Sequence, residues 1–237
     1  MKMRRLLFLL SAIAGLAAAP APATAQALAD SADSSGSIAS TPAAQPNLTY
    51  TRPTEKTKIK NYLFDALGPY PATGAALAAG IGQAYNTPPE WKRGVEGYSK
   101  RFGSAFGIAA ISTSTRYGIA EALREDTLYY RCECKGVVPR LRHALISTLT
   151  ARRGQDGHNV FSFPALIAPY AGSITAVYTW YPGRYSGKDA FRMGNYAMLG
   201  YVGGNIALEF FYSGPHSLMH RMHLNNGHGA PNPGSNP

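Results

Sequence analysis

Two cysteines one residue apart, Cys132 and Cys134, are the only thiols in a chain of 237 residues. In an exported protein two free thiols rarely persist, which favours a disulfide. A bridge across one intervening residue closes a small ring and is comparatively reducible, as a redox-active pair would need. The thioredoxin-type C-x-x-C spacing is absent. As a zinc site the pair lacks a second cysteine pair; His143 and Glu133 are the ligand types at hand. A structural disulfide or inert thiols, a metal site and a redox pair therefore all stand at this point.

The carboxylates nearby offer a second chemistry. Glu121, Arg124, Glu125 and Asp126 follow an apolar helical stretch and precede Tyr129-Tyr130-Arg131. On a helix Glu121 and Glu125, four apart, share a face, where paired carboxylates do acid–base work or bind a cation. Arg116, Arg124 and Arg131 are at hand to pair with them, which gives the alternative of a solvated helix end with ion pairs. Glu209 stands apart, inside the apolar run from Ile206 to Phe211. If buried it needs a partner, and an arginine of the Arg116–His143 stretch is the natural candidate.

The tail adds His216, His220, His223 and His228. The first three are spaced four and three apart, which on a short helix gathers imidazoles as transition-metal ligands, with Met219 and Met222 interleaved. Solvent-exposed histidines are the alternative, since such tracts are compositional signals. No H-E-x-x-H, G-x-x-x-x-G-K-[ST], G-x-G-x-x-G or G-x-S-x-G occurs. Zinc proteolysis, nucleotide binding and serine hydrolysis lose their usual signatures. Catalytic residues and cofactors are left unassigned.

These residues need elements to position them. The stretch from Arg116 to His143 holds ten of the chain's 36 Lys, Arg, Asp and Glu residues, between long segments almost without charge. Thr54–Leu67 carries Ile59, Leu63, Phe64 and Leu67 on one helical face, and Gly68-Pro69-Tyr70-Pro71 stops it. Thr73–Tyr85 is small and apolar. Thr87-Pro88-Pro89-Glu90 reads as a capped start for a helix running toward Glu125, with a bend near Ser112–Thr115. Pro139 opens a helix carrying Leu141, Leu145, Ile146 and Leu149, with Arg152-Arg153 at its C-terminus and Gly154 after it. Phe163–Trp180 and Ser186–Tyr212 complete the set. The fold class is all-α: a bundle of five or six Gly/Ala-rich helices after a signal peptide and a disordered linker. Small pairs at helical spacing, Gly74/Ala78, Gly103/Gly107 and Gly200/Gly204, would let helix backbones approach closely.

The domain organisation follows from composition. Residues 1–27 read as a signal peptide, with Lys2, Arg4 and Arg5 before an apolar run and Ala25-Gln26-Ala27 as the cleavage site. Residues 28–53 read as a disordered linker, 54–215 as the helical bundle and 216–237 as a flexible His-containing tail. Net charge is +10, falling to +7 once Lys2, Arg4 and Arg5 are removed. Export argues against nucleic acid as the target of that charge; a membrane surface or another envelope protein fits better. No Lys, Arg, Asp or Glu occurs between Asp65 and Glu90 or between Asp156 and Arg184, yet mean hydropathy is only −0.16. Length therefore favours embedding in a membrane and hydropathy opposes it.

The runs GPYPATGAALAAG, PPEW, EDTLYYRCECKG, LTARRG and FSFPALIAPYAG together resemble a family of exported bacterial helical proteins of no known activity. The resemblance covers most of the chain after about Lys56 and implies a helical envelope protein; it transfers no catalytic residue. The expected function is a structural or interaction role in the periplasm or cell envelope, in association with a membrane. The alternative is a small metal-binding or redox enzyme using Cys132 and Cys134.

Overall fold

A computed structural model describes residues 50–132, 134–211 and 227–231, and over these the protein is mainly helical. Six α-helices are present among the described residues: α1 Glu55–Leu67, α2 Pro69–Tyr85, α3 Val95–Ala122, α4 Val137–Ile146, α5 Phe163–Thr179 and α6 Gly187–Phe211. Short strands accompany them: β1 Glu125–Asp126, β2 Tyr130–Arg131, β3 Thr150–Arg153, β4 His158–Phe161 and β5 Ala230–Pro231. None of the described helices is long and apolar enough to cross a membrane.

Local signals place most helix ends. Thr54 caps α1 by accepting the Thr57 N–H at 3.4 Å. Asp189 accepts the Ser186 N–H at 3.0 Å, a capping box at the start of α6. α1 ends at Leu67, at the expected stop, with Gly68 as its cap; Pro69 opens α2 at once, where its missing N–H costs nothing. The Thr87–Glu90 start is displaced. Pro89–Trp91 forms a single 3-10 turn, and α3 begins only after Gly94, at φ 97°. Arg101 is the reason, because it takes the carbonyls of Thr87, Pro88 and Lys92 and fixes them as loop. Through Ser112–Thr115 α3 is uninterrupted; the Ser114 hydroxyl donates to the Ala110 carbonyl inside the helix.

The helix expected from Pro139 to Arg153 divides in two. After α4 ends at Ile146, Thr148 and Thr150 donate their hydroxyls to the Ala144 and Ile146 carbonyls and satisfy the exposed C-terminal acceptors. The chain then turns into β3, which pairs antiparallel with β4 around Gly154 and Gly157, at φ 77° and 67°. β1 adds to the other side of β3, with Glu125 opposite Arg153 and Asp126 opposite Arg152. Arg152 and Arg153 are therefore strand residues, and Gly154 a turn residue. β2 and β5 form a separate parallel pair.

Four helices pack in a row, α2 on α3, α3 on α5 and α5 on α6, while α2 and α6 share no packed interface. α1 lies against α2 and α3, and α4 against α6. The seams hold small residues: Ala75, Ala79, Ala120, Ala165, Ala168, Ala176 and Ala190 are buried. The large aliphatic and aromatic side chains point outward instead. Leu77, Ile81 and Tyr85 on α2, Phe163, Ile167, Ile174 and Tyr178 on α5, and Phe191, Tyr196 and Leu199 on α6 are all exposed. A row of helices has open faces, so apolar stripes that a closed bundle would bury stay at its surface.

The expected small pairs do not form these seams. Gly74, Gly103, Gly200 and Gly204 face open space. The tight crossing lies at Gly172, where a Cβ would collide with Ser112 Oγ and the Ile108 carbonyl. Gly172→Ala is expected to cost about 1–3 kcal/mol by overpacking. Gly200→Ala is expected to be neutral or to gain up to about 1 kcal/mol, since alanine is the better helix former. Urea unfolding of both variants checks the pair, and equal responses would mean the seam lies elsewhere.

Candidate functional site

The polar residues gather around three buried carboxylates and a half-buried one. Glu209 arrives from α6 and is fully buried. Arg140 of α4 donates from Nε to Glu209 Oε1 at 3.0 Å, and its Nη2 donates to the Glu209 carbonyl. The other oxygen, Oε2, accepts the Tyr129 hydroxyl at 2.6 Å and the Cys132 N–H at 3.0 Å. A buried charge is tolerable only with such pairing and saturation. Burial and the adjoining Glu209 carboxylate push the Tyr129 hydroxyl well above its ordinary pKa.

β1 supplies the next two. Glu125 accepts from Arg153 Nη2 at 2.6 Å and from the Ser162 hydroxyl at 2.7 Å. Ser162 in turn caps α5 by accepting the Ala165 N–H, so one carboxylate ties the sheet to the helix start. Asp126 accepts the Tyr130 hydroxyl at 2.6 Å, the Tyr50 hydroxyl at 3.1 Å and the Leu128 N–H at 3.0 Å. Arg152 lies over both tyrosine rings, 5.4 Å from the Tyr50 centroid and 5.3 Å from that of Tyr130. Tyr50, in the segment read as linker, is buried here.

Because α3 ends at Ala122, Glu121 and Glu125 do not share a helix face. Glu121 is exposed and meets Lys58 at 2.7 Å and Arg52 at 3.5 Å. Between α1, α3 and β1 lies a cavity of about 310 Å³, lined among others by Lys58, Tyr62, Ser114, Tyr117, Glu121 and Asp126.

Asp65, at the end of α1, is the half-buried member and completes the cluster. It accepts the Tyr117 hydroxyl at 2.5 Å and lies 2.9 Å from His228 Nε2. The Tyr129 N–H donates to His228 Nδ1 at 3.1 Å, so the ring proton sits on Nε2 and is donated to Asp65. Burial raises the Asp65 pKa, but His228, the Tyr117 hydroxyl and the Arg116 guanidinium outweigh it and hold the carboxyl below the usual range. The contact also seats residues 227–231, part of the segment read as tail, with Ala230 and Pro231 pairing with Tyr130 and Arg131.

The remaining candidates are placed less centrally. Arg116 donates to the Thr127 carbonyl at 3.4 Å and lies 5.9 Å over the Tyr201 ring. Arg131 is half-buried in β2. His143 Nε2 is 2.8 Å from the Tyr130 carbonyl and 3.3 Å from Ser147 Oγ. Cys132 and Cys134 are joined as a disulfide, Cys134 exposed. Glu133, His216, His220 and His223 lie outside the described residues. Among the described residues no group of three or more His, Cys, Asp or Glu side chains is placed to hold a metal ion.

Chemically the cluster is a set of saturated acceptors. Glu209, Glu125, Asp126 and Asp65 each receive at least two donors, which makes them pins between elements. Sequence reasoning did not single out Asp65, Tyr50, Arg140, Arg153 or Ser162. Arg140 lay within the charged stretch, one residue after the expected helix start, and was the findable one. Compared with known protein families, curated proteins and solved structures, the chain matches none.

Proposed function

We propose that this protein serves the cell envelope as a non-enzymatic helical interaction protein that associates with a membrane. One observation carries the reading: the helices place alanine and glycine in their seams and large apolar side chains on their open faces. That arrangement suits a surface covered by lipid or by a partner more than one left to water. The saturated carboxylate cluster supports the non-enzymatic part, since it has the character of a clamp between α1, α3, α4, β1 and α6. The net charge, +10 for the full sequence and +7 without Lys2, Arg4 and Arg5, adds attraction to anionic envelope surfaces.

Fractionation of cells expressing the full chain tests this. The protein is expected in the membrane fraction at low salt. Recovery as a soluble periplasmic monomer would overturn the reading.

A further inference from the structure

We propose that α4 is the element that docks the protein on a membrane, and that the surface it takes is an anionic lipid bilayer. This deepens the membrane-association reading above and rests on it. The ground is the reversed polarity of α4. Its inner side is polar: Arg140 holds Glu209, and His143 meets the Tyr130 carbonyl. Its outer side is aliphatic, with Val137 66%, Val138 75%, Leu141 37%, Leu145 46% and Ile146 50% exposed. Ala144 is the helix's buried residue. A surface helix in water shows the opposite pattern.

Charge selects the occupant. From Lys135 to Arg153 the chain has five cations, Lys135, Arg140, Arg142, Arg152 and Arg153, and no Asp or Glu. Lys135 and Arg142 are exposed on or beside α4. Arg142 lies within the aliphatic side, four residues from both Val138 and Ile146, and Lys135 just before the helix; in a lipid interface the aliphatic side chains insert shallowly while the long cationic side chains reach the headgroups. A ten-residue helix is about 15 Å long, suited to lying along the interface and too short to cross it. A second copy fits poorly, since two-fold pairing would set Lys135 and Arg142 of one copy against those of the other. An acidic protein partner is also disfavoured, because the stripe on α4 lacks the Trp and Tyr anchors that dominate protein interfaces.

Flotation of the full chain with protein-free vesicles tests the proposal, using phosphatidylglycerol-rich vesicles against pure phosphatidylcholine. The wild type is expected to float with the anionic vesicles, and less so as salt rises. Leu141→Glu with Leu145→Glu is expected to lower binding by about tenfold or more, with only a small change in thermal unfolding, since Leu145 is 46% and Leu141 37% exposed. Lys135→Glu with Arg142→Glu is expected to abolish the preference for anionic vesicles, and decides the matter should the leucine variant lose its fold. If both folded variants float like wild type, the role of α4 is refuted while membrane association stands. A wild type that fractionates with cell membranes but floats with neither vesicle points to a protein partner, and refutes lipid docking alone. A wild type that does neither refutes both.

Discussion

Replacing Glu209 with alanine is expected to cost about 3–5 kcal/mol of folding free energy, the range for breaking a buried ion pair from one side. The carboxylate is fully buried and serves three donors from two segments at once. Its loss leaves Arg140 Nε, the Tyr129 hydroxyl and the Cys132 N–H without this acceptor, while Arg140 Nη2 keeps the carbonyl of residue 209; these donors come from α4 and the connection before it. Each buried donor left without an acceptor carries its own desolvation cost, about 1–3 kcal/mol. Glu121→Ala provides the contrast. Its ion pairs with Lys58 and Arg52 involve an exposed carboxylate, so a change of about 1 kcal/mol or less is expected. Urea unfolding of the two variants separates these outcomes. A Glu209→Ala protein within about 1 kcal/mol of wild type would show that the pin contributes little.

Arg101→Met is expected to cost at least about 3 kcal/mol, although no carboxylate pairs with this arginine among the described contacts. The side chain is 4% exposed and makes five hydrogen bonds to neutral acceptors. Nε donates to the Thr87 carbonyl at 2.9 Å. Nη1 donates to Gln83 Oε1 and the Lys92 carbonyl, both at 2.7 Å. Nη2 donates to the Pro88 carbonyl at 2.8 Å and Asn86 Oδ1 at 3.3 Å. Methionine fills much of the volume but leaves three backbone carbonyls of the 87–92 loop without this donor. Arg101→Lys is expected to recover less than half of the loss, because one ammonium cannot reach acceptors arrayed around a planar fork. Thermal unfolding of both variants checks the ordering; a lysine variant as stable as wild type would exclude the fork as the cause.

Much of the helical framework was legible in the sequence. The helix start at Ser186 and the apolar runs of α1, α2, α5 and α6 are short-range signals, since helix formation and capping involve residues three or four apart. The need of Glu209 for a cation was also legible, because a carboxylate within an apolar run has few alternatives. The partner was not. Arg116, Arg124 and Arg131 were as available by sequence as Arg140, and only the packing of α4 on α6 distinguishes them. The strands at Thr150–Phe161 were missed for a similar reason. Arg152-Arg153 read as helix-terminal cations until β1 and β4 supplied backbone partners from elsewhere in the chain.

The sequence by itself determined that the chain makes helices and roughly where most of them begin and end. Tertiary structure decided which face turned inward. Periodicity defines a stripe on a helix but carries no sign for inside or outside. For α4 the sign was set by Glu209, sixty-nine positions beyond Arg140, which drew the polar side inward and left Val137, Val138, Leu141, Leu145 and Ile146 facing out. For α2, α5 and α6 it was set by packing in a row, which provides seams narrow enough for alanine but no enclosed interior for the leucines, isoleucines and aromatics.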